Sequence, residues 1–200
     1  MSKKPIALID MDGTIADYTG QFIYDLKSIS AESEIELIDS FGTDLGKLCS
    51  IDIFEKRRHI ITSQNGWWRN LDPIEENLNF AHHIYEMGFE IHILTKGPRS
   101  KPFAWSEKVE WINRHCNPRF PSKMNIVTDK SLFYGKILFD DHVPYVKDWL
   151  QNRPRGMAIL PLDDSNKDFS HNQAIHLKDN LSNFNDTLEK IKKFKNNLLD

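Results

Sequence analysis

Short apolar runs bounded by turn residues recur along the 200-residue chain. They comprise residues 6–9, 89–94, 125–127, 136–139 and 157–160. Continuous apolar runs of this kind are typical of strands that are covered on both faces of a sheet. Helix-like stretches separate the runs, so strand and helix alternate along the chain. This alternation predicts an α/β fold around a mostly parallel sheet.

Three other stretches carry apolar residues at helical spacing. The predicted buried faces are Leu78, Ala81, Ile84 and Tyr85 in residues 75–88; Trp105, Val109 and Ile112 in residues 105–115; and Leu188, Ile191, Phe194 and Leu198 in residues 185–199. We expect the first of these helices to end at Gly88, because glycine readily adopts the left-handed conformation that terminates helices.

Residues 18–71 interrupt the alternation, because they contain helical-looking pieces but no convincing strand. The stretch is too long for an ordinary loop. We therefore predict a helical cap subdomain, residues 18–72, inserted after the first strand, and a core domain formed by residues 1–17 and 73–200. We expect the cap to sit over the carboxyl edge of the sheet, which is where ligands bind in open α/β sheets.

Composition narrows the class of protein. With 40% hydrophobic and 28% charged residues, the chain fits one globular domain with a proper core. Its formal charge of -3 gives no bulk attraction to long nucleic acid or to an anionic membrane, so a small ligand is favoured. Cys49 and Cys116 form no close pair, and we see neither a signal-peptide segment nor a membrane-spanning run. We therefore expect a cytoplasmic protein.

Carboxylates follow two of the predicted strands. Asp10 and Asp12 come after the first run, and Asp140 and Asp141 come after the fourth. Because neighbouring ends of parallel strands meet at one edge, these four carboxylates should share a small space, where they repel each other unless a cation joins them. Hard oxygen ligands favour Mg²⁺. The sequence leaves open which of Asp140 and Asp141 is the direct ligand.

Thr95 and Lys96 end the second strand, and Lys130 follows the third. The motif DMDGT, then a threonine, a lysine and the pair DD, each near a predicted strand end, resembles the haloacid dehalogenase (HAD) superfamily. The resemblance implies that Asp10 is a nucleophile that forms an aspartyl phosphate, and that Asp12 acts as general acid and base. It also implies that Thr95, Lys96 and Lys130 bind the phosphoryl group.

The chain is most similar to the 5'(3')-deoxyribonucleotidases within that superfamily. The matching segments are DMDGTIADY, GWWRNLDPIEEN, HILTKGPRS, SEKVEWI, TDK, ILFDD and HNQ. The spacing from Thr95 to Glu107 and from Lys130 to Asp140 also fits. The resemblance spans roughly residues 6–172 and is loose between 25 and 61. It implies a three-layer sandwich with a small helical cap.

In that family the cap supplies an aromatic pocket for the base, and Tyr18, Trp67 and Trp68 fall in comparable positions. Stacking on an aromatic face contributes about 1–3 kcal/mol per base. The alternative, which the sequence favours equally, is that the two tryptophans only form the core that joins the cap to the sheet.

The chain departs from the family at two places near the phosphate. Lys96-Gly97 stand where the family usually has Ser-Pro, and His142 stands where it usually has arginine. We expect the core chemistry to survive these differences and the substrate preference to be affected by them.

Several lysines compete for the phosphate. Lys130 is favoured over Lys123 and Lys136 as the phosphate-binding lysine, because it stands in the motif TDK. Lys108, on the helix predicted for residues 105–115, either reaches the phosphate or is an exposed partner of a residue one turn away.

These observations predict a Mg²⁺-dependent phosphomonoesterase that acts on deoxynucleoside monophosphates through an aspartyl phosphate. The alternatives are a HAD phosphatase for a non-nucleotide substrate or a polynucleotide 3'-phosphate end, and a catalytically silent nucleotide-binding protein. We expect a small nucleotide as the partner, with neither long nucleic acid nor membrane. The sequence leaves the oligomeric state open, and a homodimer is one of the possibilities.

Overall fold

The computed structural model describes residues 4–178 and 182–196. A six-stranded parallel sheet with the strand order β3-β2-β1-β4-β5-β6 lies at its centre. The strands are β1 (Ile6–Ile9), β2 (Glu90–Lys96), β3 (Ser122–Val127), β4 (Ile137–Phe139), β5 (Met157–Pro161) and β6 (Ala174–Leu177). The predicted α/β fold with a parallel sheet is therefore confirmed. Strand β6, an edge strand in which only Leu177 is buried, was not predicted.

Eight α-helices and two 3₁₀ helices accompany the sheet in the described residues. The α-helices are α1 (Tyr18–Ser28), α2 (Glu32–Ser40), α3 (Leu45–Leu48), α4 (Asp52–Ile61), α5 (Glu75–Glu86), α6 (Pro102–His115), α7 (Val143–Asn152) and α8 (Phe184–Asn196). The 3₁₀ helices are Trp68–Asn70 and Lys130–Leu132. The first four α-helices lie between β1 and β2, where only helical pieces were expected. None of the described helices has the length and apolar character needed to cross a membrane.

Helices cover both faces of the sheet, as continuous apolar strands require. Ala7 and Ile9 belong to the larger apolar core, which also contains buried residues of α1, α5, α6 and α8. Leu8, between them, belongs to a second core with Trp149 of α7 and Leu160 of β5. The alternation of side chains along β1 thus divides the molecule into three layers.

The predicted buried face of α5 agrees with the structure, and Gly88 beyond its end has a φ of +86°. The face predicted for α6 was wrong for two of its three residues: Trp105 and Val109 are 37% and 40% exposed, whereas Ile112 is buried as predicted. The helix also turns Glu107 and Lys108 inward, where they are buried together with Ala104, Trp111 and Ile112.

In α8, the last predicted helix, Leu188 and Ile191 are buried and Phe194 is partly buried, as predicted. Leu198 lies outside the described residues.

Candidate active site

The chain reverses direction just after β1, and this turn presents Asp10 at the carboxyl edge of the sheet. The Asp10 N–H donates to the Phe139 carbonyl at 2.8 Å, which ties the residue to the end of β4. Gly13 then adopts a φ of +78°. A Cβ at this position would lie 2.6 Å from Asp141 Oδ2, so glycine is required both for the turn and for the approach of Asp141.

Lys130, at the start of the second 3₁₀ helix, bridges two of the carboxylates. Its Nζ lies 2.7 Å from Asp10 Oδ1 and 2.6 Å from Asp140 Oδ2, and all three residues are buried. Burial by itself would lower the pKa of Lys130, but the two carboxylates raise that pKa above its usual value. The lysine therefore stays charged and partly neutralises the acidic edge of the sheet.

Asp140 and Asp141 follow β4 and are held in different ways. Asp140 Oδ1 accepts the His142 N–H at 3.0 Å, and Asp141 Oδ1 accepts the Thr14 hydroxyl at 2.8 Å. Burial raises the pKa of Asp140 to about 6 although Lys130 opposes the shift. Burial, together with the charges of Asp10 and Asp140, raises the pKa of Asp141 well above its usual value.

Three carboxylates converge at this edge. Asp10, Asp140 and Asp141 each offer an oxygen atom, and these atoms lie within 4.8 Å of one another. Burial first, and the neighbouring carboxylate charges second, raise the pKa values of Asp140 and Asp141, and a cation at this edge would relieve the repulsion between the carboxylates. Hard oxygen donors so close together fit a divalent cation such as Mg²⁺.

Asp12 lies apart from these three carboxylates and faces α6. Its Oδ2 accepts a hydrogen bond from Lys108 Nζ, which also donates to Thr95 Oγ1 at 3.0 Å. Among the described residues Asp12 Oδ1 has no hydrogen-bond partner, although it is buried. Burial raises the pKa of Asp12, and Lys108 opposes the shift.

Lys108 is fully buried, so the alternative of an exposed helix-face partner was wrong. Its Nζ lies 4.6 Å from the centre of the Trp68 ring, within reach of a cation–π interaction. Sequence spacing alone gave no sign that this lysine points inward, because Trp105 and Val109 outlined a more apolar face.

Lys96 leaves the end of β2 beside α7. Its Nζ lies 4.5 Å from the centre of the Tyr145 ring, and Lys130 Nζ lies 5.0 Å from the same centre. The His142 ring packs against Tyr145 at 4.2 Å between centres. Two of the residues at which the chain departs from the family pattern, Lys96 and His142, thus meet around one tyrosine.

A cavity of about 830 Å³ joins the edge of the sheet to residues 18–72. Its lining from the sheet side includes Asp10, Asp12, Lys96, Lys130 and Asp141, and its lining from residues 18–72 includes Tyr18, Cys49, Glu55, Arg58 and Trp68. The cavity is large enough for a mononucleotide-sized ligand.

The predicted aromatic residues divide into two groups. The rings of Tyr18 and Trp68 line the cavity, with 5.5 Å between their centres and 32° between their planes. Trp67 packs edge-on behind both, and its Nε1 donates to Asp25 Oδ2 at 2.7 Å. The structure thus brings Tyr18 and Trp68 to the cavity and gives Trp67 a place in the packing behind them.

Glu107, a residue of α6, holds the tryptophan segment in place. Its buried carboxylate accepts the N–H groups of Gly66 at 2.7 Å and of Trp68 at 3.1 Å. These bonds couple α6, whose Lys108 contacts Asp12, to the wall of the cavity. Glu107 fits the family spacing from Thr95, but the sequence did not predict that it binds the backbone of the tryptophan segment.

The family model described as "5' nucleotidase, deoxy (Pyrimidine), cytosolic type C protein" matches residues 4–193. The human protein named "5'(3')-deoxyribonucleotidase, cytosolic type" is 22% identical over 146 residues, which are 70% of this chain and 72% of that protein. The resemblance to the HAD superfamily and to its deoxyribonucleotidases is therefore confirmed.

Solved structures support the fold. A family IA, variant 3 HAD hydrolase from Entamoeba histolytica aligns with a TM-score of 0.51 and 15% identity, over 96% of this chain and 99% of its own. The HAD-hydrolase YfnB from Bacillus subtilis, solved bound to magnesium, aligns with a TM-score of 0.52 and 11% identity over 98% of this chain and 100% of its own.

Proposed function

Because the chain belongs to the family of cytosolic type C 5' nucleotidases and is a phosphoric monoester hydrolase, we propose that it dephosphorylates deoxynucleoside monophosphates through an aspartyl phosphate. The observation that carries this proposal is the position of Asp10. Its carboxylate lies beside Lys130 at the sheet edge and opens on a cavity that has Tyr18 and Trp68 in its opposite wall.

Asp10 is the proposed nucleophile. One of its carboxylate oxygens attacks the phosphorus atom, and the bond between phosphorus and the sugar oxygen breaks. The product of this half-reaction is an aspartyl phosphate and a nucleoside. Water then attacks the same phosphorus atom, which releases inorganic phosphate and restores the Asp10 carboxylate.

Asp12 is the proposed acid and base. Its raised pKa favours a protonated carboxyl that donates its proton to the leaving sugar oxygen. The resulting carboxylate then takes a proton from the attacking water. The hydrogen bond from Lys108 orients one carboxylate oxygen, while Oδ1, which has no partner among the described residues, is free to exchange the proton.

Mg²⁺ is the proposed cofactor, and Asp10, Asp140 and Asp141 would hold it. The cation would supply positive charge beside the phosphoryl oxygens. The Asp12 carboxylate was also predicted as a ligand; its contact with Lys108, and its absence from the group of three converging carboxylates, favour the acid–base role instead.

Thr95, Lys96 and Lys130 are the proposed phosphate-binding residues. Lys130 and Lys96 supply positive charge at the cavity, and the Thr95 hydroxyl is placed by Lys108. Residues 18–72 would form the cap, with Tyr18 and Trp68 stacking on the base. A cavity of mononucleotide size and a net charge of -3 favour a small nucleotide over a long nucleic acid.

The test is phosphate release from a panel of 5' and 3', ribo and deoxy nucleoside monophosphates, with Mg²⁺ or with a chelator. 2-Deoxyribose 5-phosphate, which lacks a base, and a small aryl phosphate complete the panel. Metal-dependent turnover that is fastest on deoxynucleotides is the expected result. Turnover of the aryl phosphate alone would overturn the nucleotide assignment, and full activity in the chelator would overturn the cofactor.

A further inference from the structure

Helix α4 carries an ion pair that faces the cavity. Arg58 Nη2 lies 2.6 Å from Glu55 Oε1, and both residues line the cavity that contains Asp10. The two side chains are 39% and 46% exposed, so their polar atoms are accessible to a ligand. Neither residue takes part in the proposed chemistry.

This pair adjoins the aromatic wall. Tyr18, Trp68, Glu55 and Arg58 line the same cavity, and burial raises the pKa of the Tyr18 hydroxyl while the nearby Arg58 guanidinium opposes that shift. The Tyr18 ring in turn packs against Trp68. A base lying against this wall would therefore present its edge towards Arg58 and Glu55.

The chemistry of the pair fits a neutral polar edge. Arginine supplies only donors and a carboxylate only acceptors, and nucleobase edges carry acceptors and donors side by side. A second phosphate group would meet the negative charge of Glu55, which makes an anion a poor occupant of this part of the cavity. The phosphate-binding lysines, Lys96 and Lys130, belong to the sheet side of the cavity.

We propose that Arg58 and Glu55 form the base-reading end of the cavity, where they hydrogen-bond to the edge of the nucleobase and set the preference among bases. The inference rests on the proposed function. The simpler view is that they form an ordinary pair one turn apart on a helix, which has little effect on function.

Arg57 offers a matched control on the same helix. Its Nη1 donates to Ser30 Oγ and to Glu34 Oε2, both at 2.9 Å, and Arg57 is not among the residues that line the cavity. Replacing either arginine by methionine removes one positive charge from α4 and breaks one ion pair, with Glu34 for Arg57 and with Glu55 for Arg58. Only Arg58→Met removes a donor from the cavity.

The measurement is the ratio of kcat/KM for a deoxynucleotide to kcat/KM for 2-deoxyribose 5-phosphate, which isolates the contribution of the base. We expect the ratio to fall by about tenfold or more in Arg58→Met, mainly through KM, because the base loses a charged donor. In Arg57→Met it should stay within about twofold of the wild-type ratio. If the ratio in Arg58→Met also stayed within about twofold of the wild-type ratio, the inference would be overturned.

Glu55→Gln provides a second measurement if Arg58→Met does not fold. The amide both donates and accepts, so the order of kcat/KM among the four deoxynucleotides should change. An unchanged order would overturn the inference. A wild-type enzyme that favours no deoxynucleotide over 2-deoxyribose 5-phosphate would overturn it too, and leave the phosphatase chemistry standing. Absence of turnover on every substrate would instead refute the proposed function.

Discussion

The sheet side and the helical side of the cavity hold their charged residues in different ways. On the sheet side, Lys130 and Asp10 are 2% and 5% exposed, and Lys130 bridges Asp10 to Asp140 across residues distant in the chain. On the helical side, Glu55 and Arg58 pair within one turn of α4 and remain about half exposed.

Under the proposed function, this difference separates the residues of the chemical step from those that select the substrate. A buried charge that loses its partner is costly, so the sheet side tolerates little change. An exposed pair on one helix contributes little to stability and is open to replacement. We therefore expect substitutions on the sheet side to abolish turnover or destabilise the protein, and those on the helical side to change which substrate is preferred.

The largest expected effect is on turnover, in Asp10→Asn. The amide keeps the size of the side chain but removes the proposed nucleophile, so kcat should fall by about a thousandfold or more. Phosphate release from a deoxynucleotide measures it. Asp148→Asn, an exposed change on α7, is the control and should leave kcat within about twofold. Retention of a tenth of the activity in Asp10→Asn would contradict the aspartyl phosphate mechanism.

The second largest expected effect is a loss of stability in Lys130→Met. Removal of the ammonium leaves the buried Asp10 and Asp140 carboxylates without their shared partner, so the free energy of unfolding should fall by about 3–5 kcal/mol. Urea denaturation measures this quantity. Lys123→Met, which breaks an exposed pair with Glu90, should cost less than about 1 kcal/mol. Equal losses in the two variants would show that the sheet side does not depend on Lys130.

A third effect separates the two tryptophans. Trp68→Ala removes a ring from the cavity wall, and the loss of a stacking contribution of about 1–3 kcal/mol should lower the ratio of nucleotide to 2-deoxyribose 5-phosphate turnover. Trp67→Ala removes a comparable volume behind that wall and is the matched control. Steady-state kcat/KM values measure both. The same fall in both variants would mean that the ratio reports packing and not contact with the base.

The smallest effect concerns a link between the two sides. The Thr43 N–H and hydroxyl approach Asp164 Oδ2 at 3.1 and 3.2 Å, and the Asp164 N–H approaches Thr43 Oγ1 at 3.1 Å. Because these bonds are exposed, Thr43→Val should lower the free energy of unfolding by about 1 kcal/mol or less. Ser40→Ala, which removes a local bond to the Leu37 carbonyl, is the control for urea denaturation.

A loss above about 2 kcal/mol in Thr43→Val would contradict the prediction, because it would show that this link holds the two sides of the cavity together.

Local patterns predicted the elements that position the site. Five of the six strands contain the short apolar runs that predicted them, and the runs are most continuous in the middle of the sheet, where both faces are covered. The exception, β6, lies at one edge of the sheet and buries only Leu177; β3, at the other edge, has no buried residue, and only its residues 125–127 were predicted. The buried face of α6 was misjudged for the opposite reason, since Glu107 and Lys108 are buried by virtue of partners far along the chain.

The sequence by itself determined the parallel α/β fold, the placement of carboxylates at strand ends and the family, because these depend on short-range patterns and on motif order. Tertiary structure decided that Lys130 joins Asp10 to Asp140, that Lys108 is buried against Asp12, and that Trp68 but not Trp67 lines the cavity. The physical reason is that a buried charge or ring is placed by its neighbours in space, and those neighbours come from distant parts of the chain.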